Sequence, residues 1–174
     1  MNATPNTLTL QALSALSQPD FVSHLDGIFE HSPWIAERAW AQRPFDSIDG
    51  LHAAMLAVLD TASTAEQLAL ICAHPELAGK EAEEGTLTTA STGEQRGAGL
   101  DQCSKGELQR LRSLNKAYRE RFGFPFVVAV KGLSRHQIMD GVEARLSNDR
   151  DTEFARCLQE IGKIARFRLD ALFA

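Results

Sequence analysis

Cysteine is scarce: Cys72, Cys103 and Cys157 are the only three, and none lies in a CxxC spacing. An odd, scattered set argues against a disulfide framework and fits reduced thiols in a cytosol. The five histidines, at 24, 31, 52, 74 and 136, form neither an HxxxH nor an HExxH pair, so no metal ion is expected. Both glycine-rich phosphate signatures, the P-loop and GxGxxG, are missing, which removes nucleotide cradling. Basic residues do not dominate: 18 Lys and Arg face 23 Asp and Glu, mixed along the chain, so a nucleic-acid footprint is not expected. No apolar run approaches the ~20 residues that span a bilayer, so no membrane partner is expected. The start, Met1 to Asn6, lacks the basic and apolar regions of a signal peptide, and the end, Leu172-Phe173-Ala174, is not a peroxisomal address. A cytoplasmic location is the expectation. Strand patterning is confined to Phe126-Val127-Val128-Ala129-Val130, and one strand without a partner makes no sheet. That stretch reads as a buried extended crossover.

What is present is helical. At 174 residues the chain is long enough to bury a core without staples, and no linker divides it, so one domain over 1–174 is expected. Ser17-Gln18-Pro19-Asp20 opens a helix carrying Phe21, Leu25, Ile28 and Phe29. Ser32-Pro33 opens one with Trp34, Ile35 and Trp40; Ser47 precedes another with Leu51, Met55, Val58 and Leu59 on one face. Ser63-Thr64-Ala65-Glu66 is a capping box for a helix that stops at His74-Pro75. Ser104 to Glu107 opens a long helix ended by Gly123, Ser134 to Gln137 another, and the last begins after Asp151. The fold class is therefore all-α, a single-domain bundle of seven to nine helices.

The chemistry gathers between His74 and Gln95. Pro75 disfavours the α region for His74 and holds the imidazole at a corner. Beyond a Gly-, Thr- and Glu-rich segment come Ser91, Glu94 and Gln95, so a folded-back loop would bring imidazole, hydroxyl, carboxylate and carboxamide to one pocket. That inventory suits proton transfer on a small polar molecule. Plainer readings stand beside it. Ser91-Thr92-Gly93-Glu94 is itself a capping box, His74 is also a helix end, Lys80 can be a solvated lysine, and Cys72, two residues from His74, reads as a core thiol rather than a nucleophile. Arg168, between Ala165 and Leu169 on an apolar face, needs an anionic partner: a substrate carboxylate or an internal acid. Arg145 and Arg166 also sit on otherwise apolar helices.

The segments His74-Pro75-Glu76-Leu77-Ala78-Gly79-Lys80, Ser91 with Glu94-Gln95, Ala98-Gly99-Leu100, Leu114-Asn115 with Tyr118, and Phe122-Gly123-Phe124-Pro125-Phe126 together resemble the OHCU decarboxylase family. The resemblance runs from Phe29-Glu30-His31-Ser32-Pro33-Trp34 to Ile164-Ala165-Arg166-Phe167-Arg168-Leu169. It implies an all-α, cofactor-free, dimeric decarboxylase of 2-oxo-4-hydroxy-4-carboxy-5-ureidoimidazoline in uric acid degradation, with (S)-allantoin as product. On that resemblance His74 and Glu94 are catalytic, while Pro75, Ser91, Gln95, Phe126, Val127 and Arg168 bind the substrate, with Arg145 the alternative for its carboxylate. The other readings of the same residues are a hydrolase or isomerase of a related ureide, and a non-catalytic helical binding module.

Overall fold

Short polar residues ahead of apolar runs start most of the helices. The computed structural model describes residues 8–174 and contains ten α-helices among them, with no strand. The reading of Met1 to Asn6 as free of a signal peptide lies outside the described residues. That is one more than the upper end of the expected seven to nine, and the two shortest are the ones the pattern did not show. Leu10–Ser14 (α1) and Lys80–Glu84 (α6) have five residues each, too few to show a period. Among the described residues no single helix is long and apolar enough to cross a membrane.

The chain gathers into two compact units, Met1–Gln67 with Ile164–Ala174, and Leu68–Lys163. In the first, α1 is followed by Gln18–His24 (α2), Trp34–Ala39 (α3) and Ile48–Thr61 (α4), capped by Thr9, Ser17 and Ser47 at α1, α2 and α4. Leu13, Phe21, Ile35, Leu51 and Met55 are sealed in its core. The helix expected through Phe29 stops earlier. Gly27 takes φ +85°, a left-handed conformation open to glycine, and turns Ile28, Phe29 and Glu30 inward on irregular backbone. Thr64–Ala73 (α5) leads from the first unit into the second, with Ser63 and Glu66 closing the expected box.

The second unit continues with α6, Thr89–Gly97 (α7), Lys105–Phe122 (α8), Arg135–Arg145 (α9) and most of Arg150–Leu172 (α10). The helix starts expected at Ser104 and Ser134 are formed, each as a capping box, Ser104 with Glu107 and Ser134 with Gln137. Gly123, at φ +81°, ends α8 and releases the chain into the extended crossover, with Phe124, Phe126, Val127 and Val130 buried. Tyr118 anchors this segment: Phe126 meets its ring edge-on at 5.3 Å and Phe122 lies 4.6 Å away.

Candidate active site

His74 follows the last turn of α5. Its backbone N–H still donates to Ile71 O at 3.2 Å, and Pro75 then forbids another turn. The side chain is buried, 7 % exposed. Beyond it the chain turns sharply: Gly79 N–H reaches Glu76 O at 3.2 Å, and a Cβ at position 79 would stand 2.8 Å from Glu76 Cβ, so only glycine passes there. Lys80 lies outside this corner, exposed and paired with Glu84 in the manner of a solvated lysine.

Helix α7 brings the other candidates. Its N-cap is Thr88, whose hydroxyl accepts from Ser91 N–H at 3.2 Å. The Ser91–Glu94 capping box expected from the pattern is therefore not formed; Ser91 lies inside the helix at its third position and Glu94 in mid-helix. The reason is competition, because Thr88 offers the same hydroxyl one turn earlier. What α7 buries is polar: Ser91 and Gln95 are its buried residues. Four positions apart, they share a face, with Glu94 half-buried on its flank. A helix normally buries its apolar stripe, and polar groups removed from water need partners or a task. Gln95 ties this face to the histidine corner, its Oε1 accepting from Ala78 N–H at 2.9 Å. His74, Ser91 and Gln95 are thus buried in one unit, with α7 fastened four residues past the imidazole.

Phe126 and Val127 are buried in the same unit, and Val127 O accepts from Arg145 Nη1 at 2.8 Å. Pro75 is half-buried beside His74. Arg168 belongs to the other unit, where Nη1 donates to Gly27 O at 2.8 Å and Nη2 to Glu30 Oε1 at 3.0 Å. Both arginines therefore have the anionic partner that burial demands: Glu30 for Arg168 and Glu153 for Arg145. Neither acid was singled out in the sequence, because Glu30 and Glu153 look like ordinary helix-end charges. Their signal is only that each is almost fully buried.

The cysteines part from expectation at one position. Cys72 is exposed on α5 and is no core thiol; the buried one is Cys157, whose pKa burial pushes upward. Among the described residues no three His, Cys, Asp or Glu side chains cluster as a metal site would require.

Fold and candidate site define a class: an all-α protein whose buried histidine corner is fastened to a buried carboxamide. Within that class the chain belongs to the OHCU decarboxylase family, whose model matches residues 14–170. A 2-oxo-4-hydroxy-4-carboxy-5-ureidoimidazoline decarboxylase of Haloferax volcanii is 43% identical over 167 residues, covering 96% of this chain and 97% of that one. The uric acid degradation bifunctional protein of a Bacillus species is 42% identical over 95% of this chain, which matches 32% of its length. Among solved structures, an (S)-allantoin synthase superposes with a TM-score of 0.74 at 30% identity, over 95% of this chain and 54% of that one. An OHCU decarboxylase crystallised in the presence of (S)-allantoin shares the fold, with a TM-score of 0.64 at 20% identity over 82% of this chain and 92% of that one.

Proposed function

We propose that this protein decarboxylates 2-oxo-4-hydroxy-4-carboxy-5-ureidoimidazoline to (S)-allantoin, acting without a cofactor. The observation that carries the reading is the polar buried face of α7, Ser91 and Gln95, fastened to the His74 corner by the Ala78–Gln95 hydrogen bond within a family-matched chain.

In this substrate the carboxylate sits on a ring carbon that also bears a hydroxyl, beside a carbon doubly bonded to nitrogen. As the bond to CO₂ breaks, its electron pair forms a new carbon–carbon double bond, and the C=N pair moves onto nitrogen, which takes a proton. The substrate is its own electron sink. The enol so formed loses its hydroxyl proton and gains one at the carbon bearing the ureido group, which yields allantoin. His74 handles the hydroxyl proton, Glu94 shares it or holds the imidazole, and such help is worth roughly 10²–10⁴ in rate. Ser91, Gln95, Pro75 and the Phe126–Val127 backbone read the ureido and ring edges. Arg168 takes the substrate carboxylate, by resemblance to the family. The chain works as one functional domain, since the family match at 14–170 runs through both units. A cytoplasmic homodimer is the proposed setting, the dimer by resemblance to the family.

The test is the handedness of the product. The substrate also loses CO₂ unaided, and the planar intermediate then accepts a proton on either face. With fresh substrate, the enzyme yields a circular-dichroism signal of one enantiomer that grows faster than spontaneous decay. In D₂O the deuterium enters at the ureido-bearing carbon. Racemic product at the uncatalysed rate from folded protein refutes the assignment. A ureide hydrolase or isomerase would leave the carboxylate in place, and a binding module would yield no turnover sensitive to His74.

A further inference from the structure

The peptide group joining Leu77 to Ala78 is gripped from both sides. Its carbonyl accepts from Asn115 Nδ2 at 3.0 Å, and its N–H donates to Gln95 Oε1 at 2.9 Å. Both carboxamides are buried, at 4 % and 6 % exposure for Asn115 and Gln95. Ala78 itself has φ +50°, a left-handed conformation that a residue with a Cβ seldom takes. Rotating the Leu77–Ala78 peptide by half a turn would carry the φ of Ala78 back to the negative range that residues with a Cβ ordinarily take. The same rotation would break both hydrogen bonds, and both buried carboxamides would have to turn over to remake them. The grip therefore holds the strained arrangement against a locally easier one.

We infer that Asn115 is a positioning residue for His74 in the proposed decarboxylation, acting by locking the Leu77–Ala78 peptide together with Gln95. This rests on the reaction assigned above. The linkage from peptide to imidazole is short and stiff. One turn after Asn115 on the same helix, Arg119 Nε holds Glu76 Oε1 at 2.8 Å. Pro75 has its φ fixed by its ring. Gly79 closes the far side through its contact with Glu76. From Pro75 to Gly79 little freedom remains once the peptide is locked, and a histidine displaced by a fraction of its reach no longer meets the substrate hydroxyl. The lock also sets the polarity of Gln95. An N–H of Ala78 can only donate, so Gln95 must turn its oxygen to it, and its NH₂ is the side left to donate elsewhere. The carboxamide thus serves two tasks at once, an acceptor for the turn and a donor for a substrate carbonyl.

The experiment compares the parent with Asn115→Leu, Ala78→Gly and the double variant. It reads kcat, KM, the far-ultraviolet spectrum, hydrogen exchange at the Ala78 amide and the His74 imidazole resonances. Asn115→Leu removes the donor at similar size. It should lower kcat by about 10²-fold with KM within about threefold, as for a misplaced catalytic group, and should speed exchange of the Ala78 amide. Glycine tolerates φ +50° without the Cβ penalty, so the double variant should regain roughly tenfold in kcat over Asn115→Leu. A general loss of packing would not respond to that second change. Parental kcat in folded Asn115→Leu, or a double variant no faster than the single one, overturns the proposal. Should the leucine variant fail to fold, Asn115→Ser carries the same comparison. Unprotected Ala78 amide exchange in the parent itself also overturns the lock. A parent without stereospecific turnover would instead sink the assigned reaction, and the lock would still be read by the Ala78 exchange and by movement of the His74 resonances on Asn115 substitution.

Discussion

Arg145 Nε stands 2.7 Å from Glu153 Oε1, with the arginine side chain 8% exposed and the glutamate fully buried. Each nitrogen of this guanidinium is engaged: Nε with Glu153, Nη1 with Val127 O and Nη2 with Cys157 Sγ. Tyr118 Oη adds a 2.6 Å hydrogen bond to the same carboxylate oxygen, and Asn148 Nδ2 donates to the other at 2.9 Å. Burial works hardest against the charge of Arg145, but the hydrogen bond to Glu153 and the Coulomb attraction of Cys157, Glu153 and Tyr118 together outweigh it, and its pKa lies above the ordinary value. Burial likewise drives the Tyr118 phenol far upward, so it remains a donor. The hub joins α8, α9, α10 and the crossover, which accounts for Arg145 without any substrate.

Arg145→Met should therefore act on stability. Removing one partner of a buried ion pair leaves an uncompensated charge and costs about 3–5 kcal/mol. Arg145→Met combined with Glu153→Leu should cost less than the single change, because no charge is left stranded. Denaturant midpoints of the two variants decide it, and a double variant weaker than the single would contradict the reading.

Acid sensitivity has a nameable contributor in Glu107. Hydrogen bonds from Ser104 and Arg135 lower its pKa to about 2 from the ordinary 4.5. A group depressed in the folded state stabilises the fold above its unfolded pKa, and that contribution is lost as pH falls from 4.5 towards about 2. Glu107→Gln keeps a capping-box residue but loses the ion pair with Arg135, 2.9 Å away. The parent should be more stable near neutrality, and the gap between thermal midpoints should close through that window. A gap independent of pH would show that the carboxylate's charge contributes nothing.

Helix starts were legible because they depend on neighbours three residues apart. Ser63–Glu66, Ser104–Glu107 and Ser134–Gln137 all close as boxes. Ser91–Glu94 carries the same pattern and does not, because Thr88 captures the Ser91 N–H first. The stop at His24, followed by the left-handed Gly27, was hidden by apolar spacing that continues to Phe29, since periodicity cannot report a left-handed φ. His74 with Pro75 and the polar run to Gln95 were visible as unusual residues at a helix boundary. The pairing of Arg145 with Glu153 and of Arg168 with Glu30 was not, since sequence names a buried arginine's need without naming which acid meets it.

Arg168→Lys tests the carboxylate role. A guanidinium held by both Glu30 and Gly27 O presents a planar fork in one orientation, whereas lysine presents a point charge. The lysine variant should raise KM and also lower kcat, because a misaligned carboxylate loses overlap with the C=N acceptor. Unchanged kinetics with a lowered thermal midpoint would leave Arg168 a partner for Glu30 alone.

His74→Asn should remove most turnover while the protein stays folded. Asparagine keeps a polar side chain of modest size in a buried place but cannot exchange protons near neutrality. Measured together, kcat should fall by about 10²-fold or more while the thermal midpoint changes little. Near-parental kcat would strip His74 of its catalytic role.

Glu94 and Thr88 together separate chemistry from capping. With Thr88 as the N-cap of α7, Thr88→Ala should cost roughly 1 kcal/mol of stability, the usual loss when a capping hydroxyl is deleted. Glu94 lies in mid-helix and half-buried, where glutamine has nearly the same helix propensity and shape. Glu94→Gln should therefore leave the thermal midpoint almost unmoved. Its amide can still hydrogen-bond, yet it neither carries a charge to hold an imidazolium nor accepts a proton. If Glu94 shares the proton that His74 handles, kcat should drop about 10²-fold. Turnover within about threefold of the parent would reduce Glu94 to a polar neighbour and leave the proton chemistry to His74.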